Sequence, residues 1–351
     1  SLSSAAAEAP QDYPIANGHF FTQAAPGNDG AVKGYGLTNE GGVRFWDSFQ
    51  ELGGVDTLGY PCSRRFLWHG QVCQMTEYAV LKWNAEQRQV ELVNVLDQLS
   101  WAGKDDWLEK VKHIPRPVSG VDEGARLWNE VEEAHYALLS DAPISRAFYF
   151  ARPERAASLG LPQSRPEDFG PCYGVRFQRG ALYIWKESAD GAKRGQITVA
   201  RINEIAREAG LFDESVFEPE YYPPSGSALP EARSGSNRGA ASRSIPYRQG
   251  LHSASAWYGK ATWYGASFQG SPMRNGQPYD MYNPTTTASN VFPLGSVLLV
   301  TSTWSGNSIK VKVTDTGAFG YPIIVDLSYA AFCQLADPAE GVIGVTVERI
   351  E

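Results

Sequence analysis

Residues 308–328 read SIKVKVTDTGAFGYPIIVDLS, and this stretch decides the fold. Ile309, Val311 and Val313 alternate with Lys310, Lys312 and Thr314, a period of two that predicts a strand with one buried face ending at Asp315. The apolar run 323–325 predicts a second strand, and Asp326 leaves it just as a helix begins. Both carboxylates therefore stand where strands stop. Working outward, GKATWYG (259–265), NGQPYD (275–280), TTTASN (285–290), PLGSVLLV (293–300) and GVIGVTVERI (341–350) are short β-rich runs divided by Gly, Pro and Asn. They predict a small all-β barrel with one helix, in which Asp315 and Asp326 face a groove.

The order of these motifs resembles the double-psi β-barrel of rare lipoprotein A and, more distantly, the first domain of bacterial expansins. The resemblance covers about the last quarter of the chain. It implies a six-stranded barrel with pseudo-twofold symmetry whose groove binds glycan strands of the cell wall, with Asp315 and Asp326 as catalytic carboxylates. Thr262, Trp263, Tyr264, Gln277, Tyr279 and Asn290 would then contact substrate. Active relatives are lytic transglycosylases, which need one group to protonate the leaving oxygen and another to assist ring closure. Here Gln277 and Asn290 stand where such relatives carry Glu and His, and the run 314–318 lacks their Arg and Pro. Gln and Asn keep a hydrogen-bonding shape but exchange no proton near neutral pH. Two readings follow: a peptidoglycan lytic transglycosylase, or a barrel that binds without cleaving, as an expansin-like wall binder or a secreted protease-inhibitor-like domain.

Each of these residues also has a purely structural reading. Either Asp326 or Ser328 would serve as a helix cap, and Asp315 as a turn former before Thr-Gly. The dense aromatics of the barrel region are core candidates as well as sugar platforms.

The rest of the composition limits partners. A formal net charge of -8 argues against nucleic acid, and no apolar run is long enough to span a membrane. Five scattered His and no CxxC support neither a metal nor another cofactor. The opening SLSSAAAEAPQDYP lacks Met, as expected of an exported protein, extracellular or wall-associated, after signal removal. In that compartment Cys62 and Cys73, flanking a predicted hairpin, form a candidate disulfide, and Cys333 is expected to be buried against the barrel.

Towards the N-terminus, Phe45, Phe49 and Leu52 predict a short helix closed by Gly53 and Gly54. The corner Leu58, Gly59, Tyr60, Pro61 is answered by Leu159, Gly160, Leu161, Pro162, and Trp83 by Trp185, in a pattern that resembles LGFP-type repeats. Residues from about 219 to 255 are rich in Ser, Gly, Pro and Arg and predict a linker. The expected organisation is thus mainly β with an α+β N-terminal part. One repeat-like module spans 1–100 and a second, with flanking helices, 101–218; a linker covers 219–255 and a double-psi barrel 256–351.

Overall fold

The computed structural model describes residues 12–25, 33–221 and 256–351, which gather into two compact units, one within 1–95 and 201–251, the other within 96–200 and 252–351. The linear modules expected from the sequence remain a proposal; compactness groups the chain differently. In the first unit β1 (Tyr13–Ile15), β2 (Gly18–Phe21) and β3 (Lys33–Thr38) form one antiparallel sheet. A second meander holds β4 (Phe66–Trp68), β5 (Gln71–Met75), β6 (Val80–Asn84) and β7 (Gln89–Leu92). Between the sheets, helix Phe45–Glu51 buries Phe45 and Phe49 against Phe21, Leu37, Leu58 and Leu81. It ends as expected, with Gly53 and Gly54 at φ +92° and +58°.

The second unit contains another four-stranded meander, β8 (Glu167–Asp168), β9 (Cys172–Arg176), β10 (Ala181–Trp185) and β11 (Gln196–Val199). The chain then returns to the first unit as helix Ile202–Glu208 and β12 (Glu220–Tyr221), which pairs with β3. Residues 219–221 therefore leave the expected linker: Arg64 holds the Glu218 and Pro219 carbonyls, and the strand follows at once. The remainder of that linker, 222–255, lies outside the described residues.

The two corner segments share one local geometry. Gly59 and Gly160 adopt φ +74° and +75°, and each lies so close to the facing strand that a Cβ would touch Glu77 or Gln178. Glu77 Oε2 accepts from the Tyr60 amide, and Gln178 Oε1 from the Leu161 amide, both at 3.0 Å. Ser63 and Ser164 likewise accept from the Met75 and Arg176 amides. Phe66 faces Cys73 as Glu167 faces Gly174. Every pair keeps one offset, that of Gly59 to Gly160. On that register Trp185 answers Asn84 and not Trp83; one residue of slip puts a strand side chain on the opposite face. Each corner is closed by the helix following the other copy in sequence. In the first unit the Asn203 amide donates to the Glu77 carbonyl; in the second, fully buried Arg176 reaches the Leu96 carbonyl at 2.8 Å.

The expected Cys62–Cys73 disulfide is not formed: both are buried free thiols. Across the ladder Cys73 faces Phe66, while the Cys62 amide bonds the Met75 carbonyl, so the two cysteines are out of register. Cys333 is exposed rather than buried, because Ala331, Phe332 and Leu335 take the inward side of its short helical segment.

The last strands, β13 (Ala256–Trp263), β14 (Thr286–Ala288), β15 (Val297–Ser302), β16 (Ser308–Asp315), β17 (Ile323–Leu327) and β18 (Ile343–Arg349), are joined in the order β17-β14-β16-β15-β18-β13. A β13–β17 pairing closes the cylinder, so this is the expected six-stranded barrel. Ile309, Val311 and Val313 point into its core with Leu298, Val300, Ile324, Val325, Leu327, Val345 and Val347, each buried side chain contributing about 1.5–3 kcal/mol. The barrel does not stand alone in its unit. β11 pairs with β13, making one ten-stranded sheet, and Arg155 places Nη1 2.8 Å from Oε1 of Glu348 on β18. Both partners are buried, and Arg152 joins at 3.3 Å.

Candidate functional site

Strand register brings the expected carboxylates together. Thr262 on β13 faces Asp326 on β17; Ala288 on β14 faces Asp326 on one side and Asp315 on β16 on the other. Residues directly opposite share a face, and strands lie about 4.8 Å apart, so Asp326 and Asp315 flank Ala288 with Cα atoms about 10 Å from each other. Ala288 between them is itself buried. Register shifts at 260/261 and 287/288 bend both parallel pairings just before these residues.

The two carboxyl groups are held differently. Asp326 is half-buried and accepts a 2.7 Å bond from the Thr262 hydroxyl. Burial raises its pKa above the usual carboxylate value, the Thr262 bond opposing but not cancelling the shift. Ser328, not Asp326, caps the following helix by accepting from the Ala331 amide at 3.2 Å, which leaves Asp326 to the site. Asp315 Oδ1 accepts two backbone amides, from Arg274 and from Thr316, each at 2.9 Å.

Tyr264 and Tyr279 stack at 4.0 Å beside the pair, and the Tyr279 hydroxyl donates to the Tyr264 carbonyl at 2.8 Å. Burial raises the Tyr264 pKa first, then Tyr279 and the charges of Asp315 and Asp326. This phenol is therefore a neutral donor within the field of both acids. Met273 lies beneath it, its sulfur 3.3 Å from the Thr314 hydroxyl. Sequence reasoning did not single out Met273; its spacing from Tyr279 in a turn-rich loop carries no periodic signal.

The other expected contacts divide. Trp263 points the opposite way from Thr262: its indole donates to the Pro338 carbonyl at 3.1 Å and meets Tyr329 edge-on. Asn290 commits its amide to the loop after Asp315, donating to the Gly317 and Phe319 carbonyls at 2.6 and 2.7 Å. Gln277 is exposed in the 273–277 turn, where its carbonyl accepts from the Met273 amide.

Residues 257–347 match the family model described as lytic transglycolase. The endolytic peptidoglycan transglycosylase RlpA of Vibrio cholerae is 42% identical over 92 residues, which are 26% of this chain and 35% of that one. The uncharacterized protein ssl3177 of Synechocystis sp. is 37% identical over 90 residues, 26% of this chain and 94% of its own length. Through these residues the chain belongs to the RlpA-like double-psi barrel family. It spans only about a third of the length of the Vibrio relative. An apo expansin of Clavibacter michiganensis is similar at 22% identity and a TM-score of 0.23, over 27% of this chain and 50% of that one. In the barrel of this chain, Asp315, Asp326 and Thr262 stand on neighbouring strands while positions 277 and 290 carry amides. No helix among the described residues is long and apolar enough to cross a membrane.

Proposed function

We propose that the barrel binds and remodels a β-linked glycan of the cell wall, peptidoglycan first, outside the cytoplasm. The observation that carries this is the row Thr262, Asp326, Ala288, Asp315 on four neighbouring strands, with one half-buried acid of raised pKa beside a stacked tyrosine pair. In a lytic reaction one carboxylic acid gives its proton to the glycosidic oxygen as the bond from C1 breaks. A carboxylate takes the proton of the sugar's 6-hydroxyl as that oxygen closes on C1, and no water is consumed. Asp326 is suited to hold the first proton, and Asp315 to receive the second. Tyr264, backed by the buried Tyr279 ring, would contact the saccharide, with Gln277 at the rim. The two repeats, which resemble LGFP-type modules in sequence, would keep the barrel on an insoluble polymer and so raise its local concentration.

A second reading, binding without cleavage, is favoured by one observation: Asn290 spends its amide on the loop at 317–319, so it offers the site neither a proton nor a free donor. One experiment separates the two. Purified peptidoglycan sacculi are incubated with the full chain, and pelleted protein and soluble anhydro-muropeptides are both measured. Cleavage predicts release that Asp315→Asn or Asp326→Asn abolishes. Pelleting with no release assigns binding alone, and neither pelleting nor release removes the glycan reading.

A further inference from the structure

The loop that leaves the candidate site, residues 316–322, is held from two directions. On the barrel side Asn290 grips the Gly317 and Phe319 carbonyls, and the Lys260 amide bonds the Pro322 carbonyl at 2.7 Å. The other hold comes from the repeat. The Arg194 guanidinium, in the β10–β11 connection, lies over the Tyr321 ring at 4.7 Å. Its neighbour Gly195, at φ +86°, is near enough that a Cβ there would come within 2.9 Å of the same ring. Tyr258 meets Tyr321 edge-on, bonds the Gly195 carbonyl through its own amide, and donates its hydroxyl to the Trp185 carbonyl at 3.0 Å.

These contacts are not core packing. Arg194 is exposed, and Tyr321 is 40% exposed. A solvated cation–aromatic contact adds little to global stability but orders the two segments it joins. The segment it orders begins one residue after Asp315, whose Oδ1 accepts the Thr316 amide, so the loop is bonded directly to the carboxylate.

We propose that Arg194 is a positioning residue for the barrel site: the second repeat fixes the 316–322 loop, and with it the orientation of Asp315, through Tyr321. This gives the repeat a direct part in recognition beyond tethering. The proposal rests on the glycan-binding reading, and its test has one arm that does not.

Arg194→Ala, Arg194→Lys and Tyr321→Leu are made in the full chain, with amide hydrogen exchange of residues 316–322, sacculus binding and thermal melting measured on each. Expected for Arg194→Ala are exchange in the loop faster by about fivefold, sacculus binding weaker by about five- to tenfold, and a melting temperature within about 2 °C of the parent. Tyr321→Leu should match it, and Arg194→Lys, which keeps the cation over the ring, should restore most of both readouts. Unchanged loop exchange overturns the proposal whether or not glycan binds. Faster exchange with unchanged binding, while Asp315→Asn still weakens binding, overturns the positioning role and leaves the function standing. No binding by the parent protein removes the function and the proposal together.

Discussion

The two repeats fold alike and end differently. Both build the same corner, with a positive-φ glycine, a serine acceptor and an amide- or carboxyl-bearing side chain at fixed offsets. The divergence comes at the fourth strand. In the first copy β7 is an edge: Glu91 lies across from Lys82, 2.8 Å between charges, and also accepts from Asn84. Its counterpart β11 replaces that pairing with Thr198 across from Tyr183, buries Ile197, and takes β13 as a neighbour. Charged side chains blunt a free sheet edge, and apolar or hydroxyl ones leave it open to another strand. A few substitutions on one strand thus separate a closed module from one continuous with the barrel.

The largest effect should come from breaking what only the second copy has. Glu348→Gln leaves buried Arg155 and partly exposed Arg152 without their carboxylate, and should destabilise the barrel-bearing unit by about 3–5 kcal/mol in denaturant unfolding. Loss of under 1 kcal/mol would show that the ion pair does not tie repeat to barrel. Next come the shared glycines. Gly59→Ala and Gly160→Ala each force an L side chain into left-handed backbone at about 2 kcal/mol, with Gly59 the worse because its Cβ would sit 2.6 Å from the Glu77 Cβ. If one alanine is tolerated and the other is not, the two corners are not equivalent. A smaller effect tests the acceptor itself. Glu77→Gln still accepts from the Tyr60 amide, as Gln178 does from Leu161, and gives up its charge opposite the exposed Arg201. The cost should stay near 1 kcal/mol or below by the same measurement.

The sequence made the barrel legible because its strands are short, punctuated and alternating, and because Asp315 and Asp326 fall at strand ends. The same periodicity concealed the tie to the repeat. Along β18, Thr346 and Glu348 occupy positions that alternation assigns to solvent, yet they are buried at 1% and 3% exposure, Glu348 beneath the Arg155 side chain. Nothing local in VTVERI encodes a partner nearly two hundred residues away. The two units were hidden for a related reason: helix Ile202–Glu208 has an ordinary amphipathic pattern, and no residue in it announces which copy it will close. Trp185 misled the repeat register by one, since a large residue is easier to match than the Ser63–Ser164 and Glu77–Gln178 pairs that carry the geometry. At Asn290, polarity in a motif does not reveal that the amide bonds the Gly317 and Phe319 carbonyls.

The same contrast between a supported and an unsupported acid gives the smallest prediction. Glu77 in the repeat has Arg201 at 3.5 Å, whereas Asp326 in the barrel is answered only by a hydroxyl. Because burial raises the folded-state pKa of Asp326, the folded protein keeps this proton at pH values where the unfolded chain has released it. More protons bound when folded means that stability falls as pH climbs from the ordinary carboxylate range through the raised value, and is level beyond it. Asn at this position keeps an oxygen for the Thr262 hydroxyl and cannot ionise. Asp326→Asn should therefore melt with the parent protein below the ordinary carboxylate pKa and a few degrees higher near neutrality, roughly 2–4 °C per kcal/mol for a unit of this size. A variant that melts lower at neutral pH would mean the carboxylate form is the stabilised one, and Asp326 would then be unable to hold the proton that the lytic reaction asks of it.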